Sequence, residues 1–353
     1  MMASDNCREG RLKCGPGDAD EGLAGRHRCK RVLITGASGF IGTNLLQDCL
    51  NRGWPALNFD CRAPRNPEHL QYWFRGDLLV PGMIRKAICE HRPDVLFHLA
   101  ARTDLAGRAL SGYAANVEGV ANLIDALARC SNPPERVLFA SSVFVFQRGY
   151  QPRHETDYCP FTVYGESKMV GERLVRAASL PCSWVIVRPT SIWGPWFGVP
   201  FLPFFRAIER GRYIHPRGVR IGRTLGFVGN SVDQLQALAG ARRQFVDMRS
   251  FFIGDPPIEL GDWADVVASA LGRPRPHRMP IALMRTLALS GDIAQLLGIQ
   301  SPPLTTFRLH NMLTPGTNDI SSTLEIAGPA RFTPAEGARQ TAAWLASECT
   351  TPR

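Results

Sequence analysis

The sequence has no apolar run able to cross a bilayer. Its longest uncharged stretch, Pro189 to Phe205, is interrupted by four prolines and two glycines. That stretch is too short and too broken for a spanning helix. Residues 1–30 hold no apolar core of the kind that opens a secretory signal. These two absences lead to the expectation of a soluble, cytoplasmic protein. No CxxC pair and no Cys/His cluster at metal spacing occurs among the ten cysteines, so scattered reduced thiols and no bound metal are expected. No block of five consecutive basic residues appears either, although the net charge is +10. The charge comes mostly from arginines interleaved with apolar residues, which argues against nucleic acid and suits a small substrate bearing phosphates.

What is present is an ordinary globular balance, 44% hydrophobic and 20% charged over 353 residues. That length allows one large α/β unit with an appended lobe, or two domains. Residues 1–30 show no helical or strand periodicity and read as a flexible extension. Regular structure begins with the apolar run Arg31–Thr35. Further strand candidates are Ala56–Asp60, Val95–Leu99, Val137–Ala140, Trp184–Val187 and Phe251–Gly254. Helical spacing runs over Phe40–Asn51 and roughly 81–91, 112–130 and 162–179, with shorter stretches near 200–211 and 230–240. Strands alternating with helices imply βαβ units, hence a Rossmann-type, doubly wound parallel sheet of the α/β class. The expected division is 31–190 for the dinucleotide-binding domain, with a returning segment near 226–255. Residues 191–353 then form mainly a smaller, irregular C-terminal substrate lobe.

Thr35-Gly-Ala-Ser-Gly-Phe-Ile-Gly42 lies between the first strand and the first helix. Gly36 permits the tight turn, Gly39 lets the backbone approach a pyrophosphate, and Gly42 lets the helix pack on the strand. The anion then meets free N–H groups at the helix start. Asp60 ends the next strand 18 residues after Gly42, where a carboxylate accepts hydrogen bonds from ribose hydroxyls. Asp60 favours NAD, because it repels a 2′-phosphate. Arg62, two residues on, could neutralise such a phosphate, so NADP stays open.

Tyr164 and Lys168 stand at i and i+4 on one helix face. A free tyrosine titrates near ~10 and is a poor base at neutrality. A neighbouring ammonium and an oxidised nicotinamide ring would both stabilise the phenolate. The pair is then able to exchange a proton with a substrate hydroxyl or carbonyl while hydride moves at the same carbon. Ser141-Ser142 follows a strand, at the end of the sheet where a cofactor crevice opens.

With these residues in view, the chain resembles the extended short-chain dehydrogenase/reductase superfamily, in its NAD-dependent epimerase/dehydratase branch, from about Arg31 to about Ser269. The likeness rests on the TGxxGxxG turn, Arg75-Gly-Asp77-Leu78, His98-Leu-Ala-Ala101, Asn116-Val-Glu-Gly119, Ser141-Ser142, the YxxxK pair and Arg188-Pro-Thr-Ser-Ile-Trp-Gly-Pro195. It implies that Phe40 and Ile41 join the three glycines at the cofactor, and that Asp77 and Leu78 contact adenine. Leu99, Ala100 and Ala101 would line the adenosine and pyrophosphate. Ser142 would hydrogen-bond the reacting oxygen beside Tyr164, and Lys168 would also hold the nicotinamide ribose. By the same resemblance Asn116 is structural and a homodimer is expected, paired through elements that carry Glu166, Ser167 and residues 112–130. His98 reads as a packed core histidine rather than a base.

The expected activity is that of a nucleotide-sugar epimerase or reductase, in building a surface polysaccharide. Sugar 4,6-dehydratases of the superfamily carry an Asp-Glu pair after the catalytic Ser or Thr. Val143 and Phe144 stand there instead and cannot move a proton. A second reading, a 3β-hydroxysteroid dehydrogenase-like enzyme acting on an apolar alcohol, draws on Ser191, Phe227-Val-Gly-Asn230 and the aromatics of 193–205. Six arginines between 206 and 223 favour a diphosphate instead, with Arg223 the expected phosphate contact and Ser191 a substrate residue. A non-catalytic NAD(P) sensor is a third class, disfavoured because both Tyr164 and Lys168 are present.

Overall fold

Every short apolar run of the first half becomes a strand of one parallel sheet. In the computed structural model, which describes residues 30–299 and 304–350, the first half runs β1 (Val32–Thr35), α1 (Phe40–Asn51), β2 (Ala56–Asp60), β3 (Trp73–Arg75), α2 (Met83–His91) and β4 (Val95–His98). It continues through α3 (Ala114–Ala128), β5 (Arg136–Ala140), α4 (Val163–Ala177) and β6 (Ser183–Pro189). The extension expected over 1–30 lies, apart from Lys30, outside the described residues.

The second half is more broken. It comprises β7 (Ser191–Trp193), α5 (Phe201–Glu209), β8 (Ile214–Arg217), β9 (Gly222–Arg223), β10 (Leu225–Phe227), α6 (Val228–Gly240) and α7 (Arg243–Val246). After β11 (Arg249–Ile253), β12 (Ile258–Glu259) and α8 (Leu260–Ala270) come β13 (His277–Pro280) and α9 (Ile281–Leu296). The chain closes with α10 (Thr306–Leu313), α11 (Ser321–Ala327) and α12 (Pro334–Thr350).

The seven-stranded sheet has the order β11-β6-β5-β4-β1-β2-β3, parallel at every pairing. Its winding reverses between β1 and β4, which opens a crevice at the C-terminal ends of those two strands. Aliphatic cores cover both faces. Leu45 and Leu46 of α1 and Leu235 and Leu238 of α6 pack on one face. Ile84 of α2, Leu123 of α3 and Val175 of α4 pack on the other. Strand β3 had no clear signal in the sequence, being three residues long at a sheet edge, with alternation too brief to read.

The lobe has a different character. Its core is aromatic, centred on Trp193, Phe205, Phe227 and Trp263. Three two-stranded ribbons pair β7 with β10, β9 with β12, and β8 with β13. The last residues do not stay in the lobe: Thr323 of α11 donates to the Phe252 carbonyl of β11 at 2.6 Å.

Candidate active site

The glycine turn sits where the crevice begins. Gly36 has φ +78, and a Cβ there would lie 2.6 Å from the Ala100 amide nitrogen. The residue therefore serves both the turn and its contact with the end of β4. A Cβ on Gly42 would lie 2.4 Å from the Gly36 carbonyl, so the helix packs on the turn only with glycine. Gly39 caps α1 without any side-chain hydrogen bond, which leaves the first N–H groups available to an anion. Phe40 and Ile41 are half-buried against the aromatic core of the lobe, and the Phe40 ring stands 6.3 Å from Phe197.

Asp60 is nearly buried at the end of β2. Its carboxylate accepts from the Ser38 amide at 3.2 Å and the Arg62 amide at 2.9 Å, so it also braces the turn. The Arg62 side chain is exposed beside it. Asp77 is half-buried and accepts from the Leu79 amide at 2.9 Å, whereas the Leu78 side chain belongs to the core against Gly119. Leu99, Ala100 and Ala101 are half-buried just beyond β4, and Thr35 accepts from the Leu99 amide at 3.0 Å. Glycine cradle, uncapped helix start and flanking carboxylate together fit a dinucleotide. Among the described residues no three His, Cys, Asp or Glu side chains cluster to hold a metal, and no helix is long and apolar enough to cross a membrane.

The proton-transfer residues meet at the end of β5. Thr162 caps α4 by accepting from the Gly165 amide at 3.0 Å. A Cβ on Gly165 would lie 2.2 Å from the Phe144 carbonyl, so this glycine lets the segment after Ser142 lie flat on α4. That close approach brings Ser142 to Tyr164, and the sequence reading gave Gly165 no part in it. Tyr164 is buried between Tyr113 and Phe144. Burial raises its phenol above the usual tyrosine range, and a hydrogen bond with Ser142 works in the opposite direction.

Lys168 is buried one turn further on, and its ammonium donates to the Ala140 carbonyl at 2.8 Å. Burial pushes it down to about 8, against the opposing pull of Glu172. In the chain by itself the tyrosine is thus a weaker acid than a free one.

Behind this pair lies a cavity of about 20 Å³ lined by His98, Ser141 and Lys168 among others. His98 Nδ1 pairs with Thr35 Oγ1 at 2.9 Å, and burial, then Lys168, pushes the imidazole down to about 3. It is neutral at physiological pH. Glu172 forms a fully buried bidentate pair with Arg188, at 2.8 and 2.6 Å, and accepts from the Tyr158 hydroxyl at 2.8 Å. Asn116 joins α3 to α4 by donating to Ser167 Oγ at 2.9 Å. Ser167 is wholly buried within the subunit, so only the half-buried Glu166 of those two residues could reach a partner.

A second pocket, about 60 Å³, is walled by Val143 and Phe144, just after Ser142 in the chain, and by Phe161, and reaches Ser191, Arg148 and Arg223. The C-terminal segment Gly316–Asn318 completes it. Arg223 donates to the Asn311 and Met312 carbonyls, and Arg148 donates to the same Asn311 carbonyl at 3.0 Å. Among the described residues neither has a carboxylate partner. Burial and then the Arg148 charge push Arg223 down to about 10, and burial lowers Arg148 too. Arg206, grouped with Arg223 in the sequence, is instead paired with Glu209 at 2.8 Å. Arg148 and the 316–318 segment carried no local signal.

The fold and this crevice define an NAD-dependent enzyme of the oxidoreductase/epimerase kind. The chain belongs to the NAD dependent epimerase/dehydratase family, whose model matches residues 32–220. It is 29% identical to a 3 beta-hydroxysteroid dehydrogenase/Delta 5-->4-isomerase of Mycobacterium tuberculosis, covering 69% of this chain and 70% of that protein. It is 28% identical to an N-acetyl-alpha-D-glucosaminyl-diphospho-ditrans,octacis-undecaprenol 4-epimerase of Escherichia coli O157:H7, over 57% of this chain and 61% of that one. The solved structure of MoeE5 in complex with UDP-glucose and NAD shares the fold, with a TM-score of 0.67 at 22% identity over 90% of this chain and 99% of that one.

Proposed function

We propose that the protein is an NAD-dependent epimerase or reductase acting at a secondary alcohol or ketone carbon of an anionic substrate, with a nucleotide sugar as the favoured class. The observation that carries this reading is a pocket lined by two carboxylate-free arginines and walled by Val143 and Phe144, which directly follow Ser142, with the Phe144 ring against Tyr164. Tyr164 exchanges the proton of the reacting oxygen, and Ser142 hydrogen-bonds that oxygen. Lys168 supplies the positive charge that favours the phenolate. The glycine turn and the start of α1 would hold NAD, which would supply the hydride acceptor and donor. Arg148 and Arg223 hold the anionic group, whose desolvation is offset by two guanidinium partners. No carboxylate is among the residues lining this pocket, and Val143 and Phe144 follow Ser142, so a second acid–base pair for eliminating water is lacking there.

A second reading, a dehydrogenase of an apolar alcohol, draws support from the aromatic lining of Phe144, Phe146, Tyr150 and Phe161 and from the hydroxysteroid relative. The two separate in one assay. The protein is incubated with NAD and either a set of UDP-, GDP- and dTDP-hexoses or a set of 3β-hydroxysteroids. Epimers are resolved by chromatography and reduced nicotinamide is followed by absorbance. Conversion of a nucleotide sugar supports the first reading, and NADH formation with a steroid alone supports the second. A cytoplasmic homodimer paired through α3 and α4 completes the proposal, with a setting in surface polysaccharide synthesis, and light scattering tests the mass.

A further inference from the structure

We propose that the outer face of α9 and its arginine rim dock on the surface of an anionic lipid bilayer. The inference is independent of the substrate reading, because it concerns a face away from the crevice residues.

Helix α9 turns Met284, Ala288 and Gly291 inward, where Met284 and Ala288 pack with Leu309 of α10. Most outward positions are apolar as well, and the exposed Thr286 and Ser290 between them bond their hydroxyls back to the helix carbonyls of Ala282 and Leu287. Leu283, Leu287, Leu289, Ile293 and Leu296 are exposed at 49, 41, 59, 58 and 87%, and Leu297 continues the face at 77%. Phe307 on α10 adds a ring exposed at 74%. Single exposed leucines are ordinary on a soluble protein, but a contiguous apolar face along one helix marks an interaction surface. The only charged residues of α9 are Arg285 and Asp292, and Asp292 is engaged by the amide and hydroxyl of Thr306.

The choice of occupant follows from the charges at the helix start. Strand β13 leads straight into α9 and pairs with β8 so that Pro280 lies opposite Arg217. Arg217 and Arg278 of this ribbon and Arg285 of α9 therefore lie at the start of the helix. Arg278 is answered by Asp265 at 3.0 Å, with Glu259 and Asp262 nearby, whereas among the described residues Arg217 and Arg285 have no carboxylate within ion-pair distance. An apolar face beside a row of arginines matches the boundary between acyl chains and anionic headgroups. A second copy is the alternative occupant, and the test below separates it from a bilayer. A 16-residue helix is also shorter than the ~20 residues needed to span, so it lies in the interface rather than crossing it.

The test is flotation of the full-length protein with vesicles of phosphatidylcholine alone or with phosphatidylglycerol added. Leu287→Glu and Ile293→Glu, both at exposed positions, are the variants, with thermal melting and NAD binding as controls for folding. The expected result is co-flotation with the anionic vesicles only, weakened by salt, and at least about tenfold weaker partitioning in each variant. Wild-type protein that stays with the soluble fraction would overturn the proposal, as would equal flotation of the variants or no preference for the anionic lipid. A dimer that Leu287→Glu dissociates, with no flotation, would assign the face to a second copy and overturn it likewise.

Discussion

The sheet half and the lobe treat buried charge in opposite ways. In the sheet half two buried arginines are fully held. Arg136 donates to the Leu238, Ala239 and Ala241 carbonyls at 2.8–3.0 Å, and Arg188 is clamped by Glu172. Where the loop after β5 meets the lobe, Arg148 and Arg223 share the Asn311 carbonyl, Arg223 reaches Met312 as well, and the two crowd one another without a carboxylate. The first arrangement fixes geometry, as a proton transfer at Tyr164 demands. The second keeps a cationic site unneutralised until an anion arrives. On the proposed function, rigidity sits beside Tyr164, and unneutralised charge sits where the anionic group of the substrate would bind.

That contrast can be broken or sharpened by substitution. Lys168→Ala removes the charge beside Tyr164 and is expected to lower kcat by about 10²–10³-fold. Steady-state kinetics at saturating NAD measure this, and a near-wild-type rate would remove Lys168 from the chemistry. Glu172→Gln leaves Arg188 buried without its counter-charge. Unfolding by denaturant should then show a loss of about 3–5 kcal/mol, whereas a loss under 1 kcal/mol would mean that the sheet half does not depend on its ion pair.

Arg148→Ala and Arg223→Ala should do the reverse. Stability should hold or rise, because each change relieves the other arginine, while KM for an anionic substrate climbs about 10–100-fold. Destabilisation with an unchanged KM would make the pair structural. The smallest effect concerns pH. Lys168 is held near 8 by burial, so its ammonium is present below that value and lost above it. For ketone reduction, kcat/KM should therefore fall as pH rises through about 8, and Lys168→Arg should move that limb upward. A flat profile from 6 to 10 would contradict the assignment.

The two halves also differ in how much of them could be read in advance. Strands β1, β2, β4, β5 and β6 announce themselves because each is buried on both faces and so becomes an unbroken apolar run. The glycine turn and the Tyr164–Lys168 spacing are local patterns, legible at a distance of eight residues or fewer. The arginine pocket is not local. It joins a loop after β5, the ribbon of Arg223 with Ile258, and the segment at Gly316, which bridges to Arg223. Nothing in Arg148 or Asn318 alone announces that meeting. Helices α9 to α12 were likewise missed. Leu287 and Ile293 of α9 are apolar without being core, and periodicity cannot separate an exposed apolar face from a buried one.

The measurement that tests the central claim most directly is a single turnover of NAD-loaded protein mixed with the substrate found by the assay above. Nicotinamide absorbance would be followed in wild type and in Tyr164→Phe at equal cofactor occupancy. The account predicts rapid hydride transfer in wild type, slowed by about 10²–10⁴-fold in the variant with cofactor binding retained. Equal rates in the two proteins would contradict it, since the proton would then leave by a route that does not use Tyr164.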